Sequence, residues 1–287
     1  MSISIAHLGP TGTYAEAAAL AYMNLLAKDA GGELPVLCPY RSIAQTVQAV
    51  AQGQVELAVV PVENSIEGSV TVTLDRLWQL DMLQIQQALV LPIRHALLSR
   101  ASSLEAIQTV YSHPQALAQC QGWLEKFLPS VQLISTNSTT EALQYLDNDH
   151  TAGTISSQRA AQLYNLPVLA SAINDYPDNC TRFWVLGQQP SPGGSYTSLA
   201  FGLAANVPGA LVKPLQVFAN KGINMSRIES RPTKRSLGEY LFFIDLEANA
   251  SDTAFQETLS ELEACTELIK IFGSYNVLTI EPSTFGT

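Results

Sequence analysis

Residues 3–28, ISIAHLGPTGTYAEAAALAYMNLLAK, decide the fold class. The first six form an apolar run suited to a buried strand. GPTGTY at 9–14 breaks that pattern with a glycine-rich turn. From Tyr14 the chain is dominated by Ala and Leu, which predicts a helix to Lys28. The theme recurs downstream. Helices are predicted over 43–52, 70–79, 114–127, 139–146 and 158–163. Strands are predicted over 56–60, 109–111, 131–135, 151–155 and 181–186, with 83–98 mostly extended. Such alternation predicts an α/β unit with a mostly parallel sheet and ligands beyond the carboxyl ends of its strands. A segment of this length suits one sheet or two lobes, and 83–98 is the natural crossover between lobes.

GQQPSPGGSY at 187–196 ends that pattern. Two prolines, three glycines and two serines between apolar segments mark a linker. The expected units are therefore 1–187, a linker at 188–196, and 197–287. In the last unit a strand is predicted over 198–205, a helix over 209–220, strands over 223–231 and 240–247, a helix over 252–264 and a strand over 268–275. That order, βαββαβ, is the ferredoxin-like arrangement.

Composition narrows the function. The 287 residues are 47 % hydrophobic and 14 % charged, enough to pack cores and too apolar for global disorder. The net charge is −10 and both halves are acidic, so no nucleic-acid partner is expected. No apolar run is long enough to span a membrane; the best, 88–98, is broken by Pro92, Arg94 and His95. The first ten residues lack the features of a secretory signal, so a cytoplasmic protein without membrane contact is expected. Cys38, Cys120, Cys180 and Cys265 lie far apart, which fits reduced thiols rather than a zinc or disulfide framework. The four histidines are dispersed, so no metal site is expected. The GxGxxG, GxxxxGK[ST] and GxSxG patterns are absent, which removes the usual nucleotide cofactors and a serine nucleophile.

Several polar clusters sit where strands meet helices. Thr11, Gly12 and Thr13 combine hydroxyls with backbone amides at a helix start, which suits an anion, or simply makes a capped turn. Glu63, Asn64 and Ser65 follow an apolar strand, as site residues or as a capped loop. Ser112 and His113 open a helix on which Gln119 follows Gln115 by one turn, and His7, His95 and His150 look scattered. Thr181, Arg182 and Phe183 enter the last strand before the linker and alternate in direction. In the second unit, Asn206, Pro208, Gly209, Ala210, Leu211 and Val212 make a strand-to-helix turn, and Glu229, Ser230, Arg231 and Pro232 end a strand.

Taken together and in order, these segments resemble the prephenate dehydratase family. The resemblance rests on GPTGTY at 9–14, VPVENSIEGSV at 60–70, YSHPQALAQC at 111–120, NSTTEA at 137–142, ISSQRAAQLYNLPVL at 155–169 and NCTRFWVLG at 179–187. GALV at 209–212 and ESRP at 229–232 resemble the ACT regulatory domain fused to such enzymes. The resemblance implies a two-lobed, type II periplasmic-binding-protein-like catalytic domain with prephenate in the interlobe cleft, followed by the ferredoxin-like ACT domain. It makes Thr181, Glu63, Asn64, Ser112 and Gln119 catalytic candidates. Thr11, Gly12, Thr13, Ser65, Arg182 and Phe183 become substrate-binding candidates. The turns at 206–212 and 229–232 become the L-phenylalanine site, at an interface between two ACT domains of a homodimer or homotetramer. Bifunctional members carry a preceding chorismate mutase domain; this chain starts at its first catalytic strand, so that activity is expected to be absent.

Prephenate loses its ring carboxylate as CO₂ and its ring hydroxyl as water, and aromatisation drives both losses. Such a site needs carboxylate clamps and a proton donor, with no cofactor, metal or covalent nucleophile. Thr181 is the expected partner of the departing hydroxyl, and Glu63, protonated in a buried cleft, is the second candidate. Arg182 is expected either on the side-chain carboxylate or as a structural partner of the lobe. Arogenate is the rival substrate. Two readings of another class are a two-lobed amino-acid sensor without turnover and a regulatory binder with a dead first domain.

Overall fold

The computed structural model describes residues 3–30, 35–147 and 149–281. The first lobe runs through β1 (Ser4–Leu8), α1 (Tyr14–Ala30), β2 (Val36–Tyr40), α2 (Ile43–Ala51), β3 (Leu57–Asn64), β4 (Gly68–Ser69), α3 (Thr71–Gln79) and β5 (Gln84–Pro92). A second lobe follows with β6 (His95–Ser99), β7 (Thr109–Ser112), α4 (Pro114–Ala118), α5 (Gln121–Phe127), β8 (Gln132–Ser135), β9 (Ala152–Ser157), α6 (Gln158–Leu163) and β10 (Val168–Ser171). The chain returns to the first lobe in β11 (Cys180–Gly187). The C-terminal unit comprises β12 (Tyr196–Gly202), α7 (Val212–Asn220), β13 (Met225–Pro232), β14 (Tyr240–Leu246), α8 (Thr253–Glu263), β15 (Leu268–Tyr275) and β16 (Val277–Thr279).

Three sheets result. The first has the order β16-β5-β11-β3-β1-β2 with β4 beside β3, the second β10-β6-β9-β7-β8, and the third β13-β14-β12-β15. The two-lobed α/β unit followed by βαββαβ is the architecture that the resemblance implies. The lobe sheets are mixed rather than mostly parallel: β1 pairs in parallel with β2 and β3, whereas β11 is antiparallel to both β3 and β5. A strand that returns from another lobe arrives without a helical crossover, so it is free to run antiparallel. The two connections between lobes lie side by side, with Ile93 N–H donating to the Asn179 carbonyl at 2.8 Å and Ile173 N–H to the His95 carbonyl at 3.0 Å.

One irregularity positions the site. Along the β3–β11 ladder, Phe183 pairs with Pro61, and the next residue, Arg182, pairs with Glu63. Val62 is therefore extra on β3, a bulge beside a proline that has no N–H to give the ladder. The bulge puts Pro61 and Asn64 on the same face as Thr181 and Phe183, and turns Glu63 with Arg182 to the other.

Elsewhere the elements depart from simple periodicity. The predicted helix over 114–127 is two short helices broken at Gln119 and Cys120. The predicted helix over 139–146 is a 3-10 turn at Glu141–Leu146. β2, β10 and β16 were not legible as strands; β2 carries Pro39 and sits at a sheet edge, where a missing donor is tolerated.

The linker does not separate the cores. One cluster joins Leu74, Leu77 and Trp184 of the first lobe to Leu241, Phe243, Phe272 and Tyr275 of the C-terminal unit. Trp78 meets Phe243 edge-on at 6.4 Å, Phe243 stacks on Phe272 at 5.6 Å, and Trp184 meets Tyr275 edge-on at 6.4 Å. The third sheet thus packs its own helices on one face and the first lobe on the other, which is why β12 is buried along nearly its whole length. β16 closes the arrangement by pairing with β5.

Candidate active site

An open cleft of about 1190 Å³ lies between the lobes, walled by the turn after β1, the ends of β3 and β11, β4, and the starts of β6 and α4. Of the expected residues, Thr13, Asn64, Gln119, Thr181 and Phe183 line it. The others do not. Glu63 and Arg182 sit back to back with them, 3.8 Å apart, and Arg182 continues to Asp245 of β14 at 3.2 Å. Ser112 is fully buried and donates to the Ile155 carbonyl at 2.6 Å. Ser65 donates to Asn179 Oδ1 at 3.3 Å and accepts from Cys180 N–H at 3.0 Å.

The turn at 9–14 braces the lobes against each other. Gly12 N–H is taken by Glu16 Oε2 at 2.7 Å, Ser157 donates to the Gly12 carbonyl at 2.9 Å, and Arg159 holds Glu16 at 3.1 Å. Gly12 has φ +91°, and a Cβ there would stand 3.0 Å from Thr140 Cγ2, so glycine is required. Thr11 touches Tyr164 through its carbonyl. These groups are spent on the fold, and of the three only Thr13 reaches the cleft wall.

The polar wall is one connected network whose polarity is fixed from the backbone. Ile66 and Glu67 N–H both donate to Asn64 Oδ1, at 3.0 and 3.1 Å. The other end of Asn64 is therefore the amide nitrogen. It donates to Asn179 Oδ1 at 2.8 Å, Thr181 Oγ1 at 2.9 Å and the Cys180 carbonyl at 3.2 Å. Asn179 Nδ2 in turn donates to Gln119 Oε1 at 2.9 Å, and Gln119 Nε2 donates to Glu67 Oε1 at 3.3 Å. Gln119 Oε1 also lies 3.0 Å from His95 Nε2, so that nitrogen carries the ring proton. Tyr14 Oη lies 3.2 Å from His95 Nδ1 and donates to the Arg94 carbonyl at 2.7 Å.

Thr181 Oγ1 is an acceptor in this network, and among the described residues its own proton has no acceptor. The proton is free to point into the cleft. Desolvation by burial holds the His95 pKa below the ordinary histidine value, and hydrogen bonding to Gln119 opposes this only in part. Burial likewise raises Tyr14, so both rings are neutral. Arg41 is the only lysine or arginine on the cleft wall among the described residues, and the same described residues contain no His/Cys/Asp/Glu cluster that could hold a metal.

His95, Tyr14, Glu67, Asn179 and Arg41 escaped the sequence reading. His95 looked scattered because its partners are 24 and 81 residues away. Glu67 and Asn179 lay inside quoted motifs beside more conspicuous neighbours.

A pH effect on stability follows. His7, His95 and His113 all have pKa values lowered chiefly by burial. Between the unfolded value near 6.5 and their lower folded values, the unfolded chain binds more protons, so stability falls as pH falls through that window. Urea denaturation at pH 7.5 and 5.5 is expected to show this loss, and a smaller one for His95→Gln.

The expected effector residues gather at one end of the third sheet. Gly202 of β12 and Arg231 of β13 both pair with Leu241, so the turn at 206–212 and the 229–232 segment flank the same end of β14. Asn206, Pro208 and Gly209 are exposed, Ala210 and Leu211 half-buried, and Val212 opens α7. Glu229 accepts from Ser69 Oγ at 3.0 Å, and Ser69 lines the cleft. Arg231 grips Asp75 of α3 with two bonds of 3.1 Å, and Lys234 adds a third at 2.6 Å. Ser230 and Pro232 are exposed.

Comparison with known proteins agrees with this architecture. The prephenate dehydratase family model matches residues 5–191, and the ACT domain model matches residues 197–264. The prephenate dehydratase of Lactococcus lactis subsp. cremoris is 35 % identical over 286 residues, covering 97 % of this chain and 99 % of that protein. The bifunctional chorismate mutase/prephenate dehydratase of Aquifex aeolicus is 42 % identical over 275 residues, 95 % of this chain and 73 % of that one. The crystal structure of prephenate dehydratase from Arthrobacter aurescens in complex with L-Phe superposes with a TM-score of 0.83 at 33 % identity, covering 96 % of this chain and 90 % of that one. With a family match across both lobes and a relative matched over almost its full length, this chain belongs to the prephenate dehydratase family and carries an ACT domain.

Proposed function

We propose that this chain converts prephenate to phenylpyruvate, releasing water and CO₂, and that L-phenylalanine inhibits it through the C-terminal unit. The observation that carries the catalytic reading is the free proton of Thr181, which faces the interlobe cleft because Asn64 donates to its oxygen from the other side. As the ring C–C bond to the carboxylate breaks, its electron pair enters the ring and the C–O bond to the hydroxyl opens. Thr181 donates a hydrogen bond to the departing oxygen as charge grows on it. The reaction takes up one proton overall, and water in the open cleft replaces it. Asn64 and Gln119 orient this wall, Thr13 and Phe183 shape it, and Arg41 anchors the side-chain carboxylate, which stays charged. The ring carboxylate, which must lose its charge as CO₂, is left without a cation.

Glu63 and Arg182 take another role. Their pairing on the far face of β3 and β11 supports reading them as the link to the C-terminal unit. Ser112 and Ser65 support the lobes from within, and Thr11 and Gly12 join them. The reading needs no cofactor or metal.

For regulation, the L-Phe complex of the Arthrobacter relative supports L-phenylalanine as the effector, and the turns at 206–212 and 229–232 are its proposed site. Glu229 would exchange the Ser69 hydroxyl for the effector's ammonium group and so move β4 at the cleft floor. Residues 1–187 are the proposed catalytic unit, 188–196 the linker and 197–287 the regulatory unit. The protein is proposed to be a cytoplasmic homodimer or homotetramer joined through C-terminal units; no helix among the described residues is long and apolar enough to cross a membrane. In the test, purified protein is given prephenate and phenylpyruvate is followed as L-phenylalanine is added. Turnover that falls with the effector is expected; turnover indifferent to saturating L-phenylalanine would remove the regulatory reading.

A further inference from the structure

We propose that Asn179 is a positioning residue that sets the hydrogen-bond polarity of the catalytic wall, and through it the direction of the Thr181 proton. The proposal rests on the dehydratase reading of the cleft. Asn179 stands just before β11 and is 2 % exposed. Its backbone is pinned at the crossing between lobes, where its carbonyl accepts from Ile93 N–H at 2.8 Å.

Its side chain joins two halves of the wall that belong to different lobes. Oδ1 accepts from Asn64 of the first lobe at 2.8 Å, and Nδ2 donates to Gln119 of the second at 2.9 Å. An amide accepts at one end and donates at the other at every pH, which a carboxyl group of the same shape does only when protonated. Asn64 must present its nitrogen, because two backbone amides occupy its oxygen. Asn179 must then present its oxygen to Asn64 and its nitrogen to Gln119. Gln119 must present its oxygen to both Asn179 and His95 and its nitrogen to Glu67. His95 must keep its proton on Nε2. Reversing the donor end of Asn179 reverses Gln119 and His95 in turn. It also draws the shared Asn64 amide away from Thr181 Oγ1, which frees that oxygen to rotate its proton out of the cleft.

Asn179→Asp tests this with almost no change of shape. Its ionised carboxylate keeps the acceptor toward Asn64 and loses the donor toward Gln119. The kcat for prephenate is expected to fall about 10- to 100-fold at pH 8, with KM changed less than threefold, the size of losing a partner that orients a functional group rather than the group itself. When the new carboxyl group is protonated it regains an O–H donor toward Gln119. Burial raises its pKa above the ordinary aspartate value, so the ratio of variant to wild-type kcat is expected to climb as pH is lowered from 8 to 5. Asn179→Ala, with no donor to recover, is expected to show no such climb.

A second readout does not depend on turnover. Nitrogen chemical shifts of His95 in labelled protein are expected to report the Nε2–H tautomer in wild type and the Nδ1–H tautomer in Asn179→Asp at pH 8. A pH-independent kcat ratio, or a His95 tautomer unchanged by the substitution, would overturn the proposal. If the wild type fails to turn over prephenate, the dehydratase reading fails, and the tautomer measurement still decides whether Asn179 sets the polarity.

Discussion

Replacing Thr181 by valine is expected to lower kcat for prephenate by about 10²- to 10³-fold, the usual loss when one donor to a developing anion is removed. Valine keeps the β-branched shape and volume, so the strand and the cleft wall are retained. Asn64 loses one acceptor but keeps Asn179 Oδ1 and the Cys180 carbonyl, so no buried donor is orphaned. The substitution therefore isolates the hydroxyl. KM is expected to move little, because the hydroxyl gains its main partner only as the ring C–O bond opens. Thr181→Ser, which keeps the donor, is expected to recover most of the rate. Steady-state kinetics on the three proteins, with melting curves to confirm a common fold, check the claim.

The second large effect concerns stability. Asp245 is completely buried and gathers Arg227 at 2.7 Å, Arg182 at 3.2 Å and the Ser198 hydroxyl at 2.5 Å. Arg227 is itself 8 % exposed and lies over the Trp184 ring, 5.5 Å from its centre. The buried Arg227 guanidinium depends on that one carboxylate, whereas Arg182, a quarter exposed, also has Glu63 at 3.8 Å. Asp245→Asn is expected to cost about 3–5 kcal/mol, the usual penalty for leaving buried charges unpaired. The loss arises where β11 meets the C-terminal unit, so it should appear first as undocking of that unit. Urea denaturation followed by tryptophan fluorescence checks it, because Trp184 sits on this seam. A midpoint unchanged from wild type would mean that the arginines find other partners.

The strand–helix alternation of the first lobe was legible because buried strands and Ala-rich helices leave strong apolar signatures. The βαββαβ order was legible for the same reason. The mixed sheet direction was not, because direction depends on where a returning strand arrives rather than on its own residues. Helix 114–127 breaks where Gln119 turns to meet Asn179 and Glu67, a tertiary demand that no local propensity carries.

The motifs located the cleft but not the facing of each side chain within them. Pro61 and Asn64 stand three apart, which simple alternation would put on opposite faces, yet the extra residue at Val62 brings both to the cleft and leaves Glu63 behind it. Thr181 and Arg182 divide between the two faces by ordinary strand alternation. That division has a consequence for regulation: the pair facing the cleft and the pair facing the C-terminal unit share the same two strands. His95 was invisible for another reason. Its role depends on Tyr14 and Gln119, which only the folded crossover brings to it.

The most direct test is a side-by-side assay of purified protein: phenylpyruvate released from prephenate against L-phenylalanine released from arogenate, for wild type and Thr181→Val. The account predicts a higher kcat/KM for prephenate and near-complete loss of that activity in the variant. Equal turnover by wild type and Thr181→Val, or no turnover of prephenate by wild type, would contradict it.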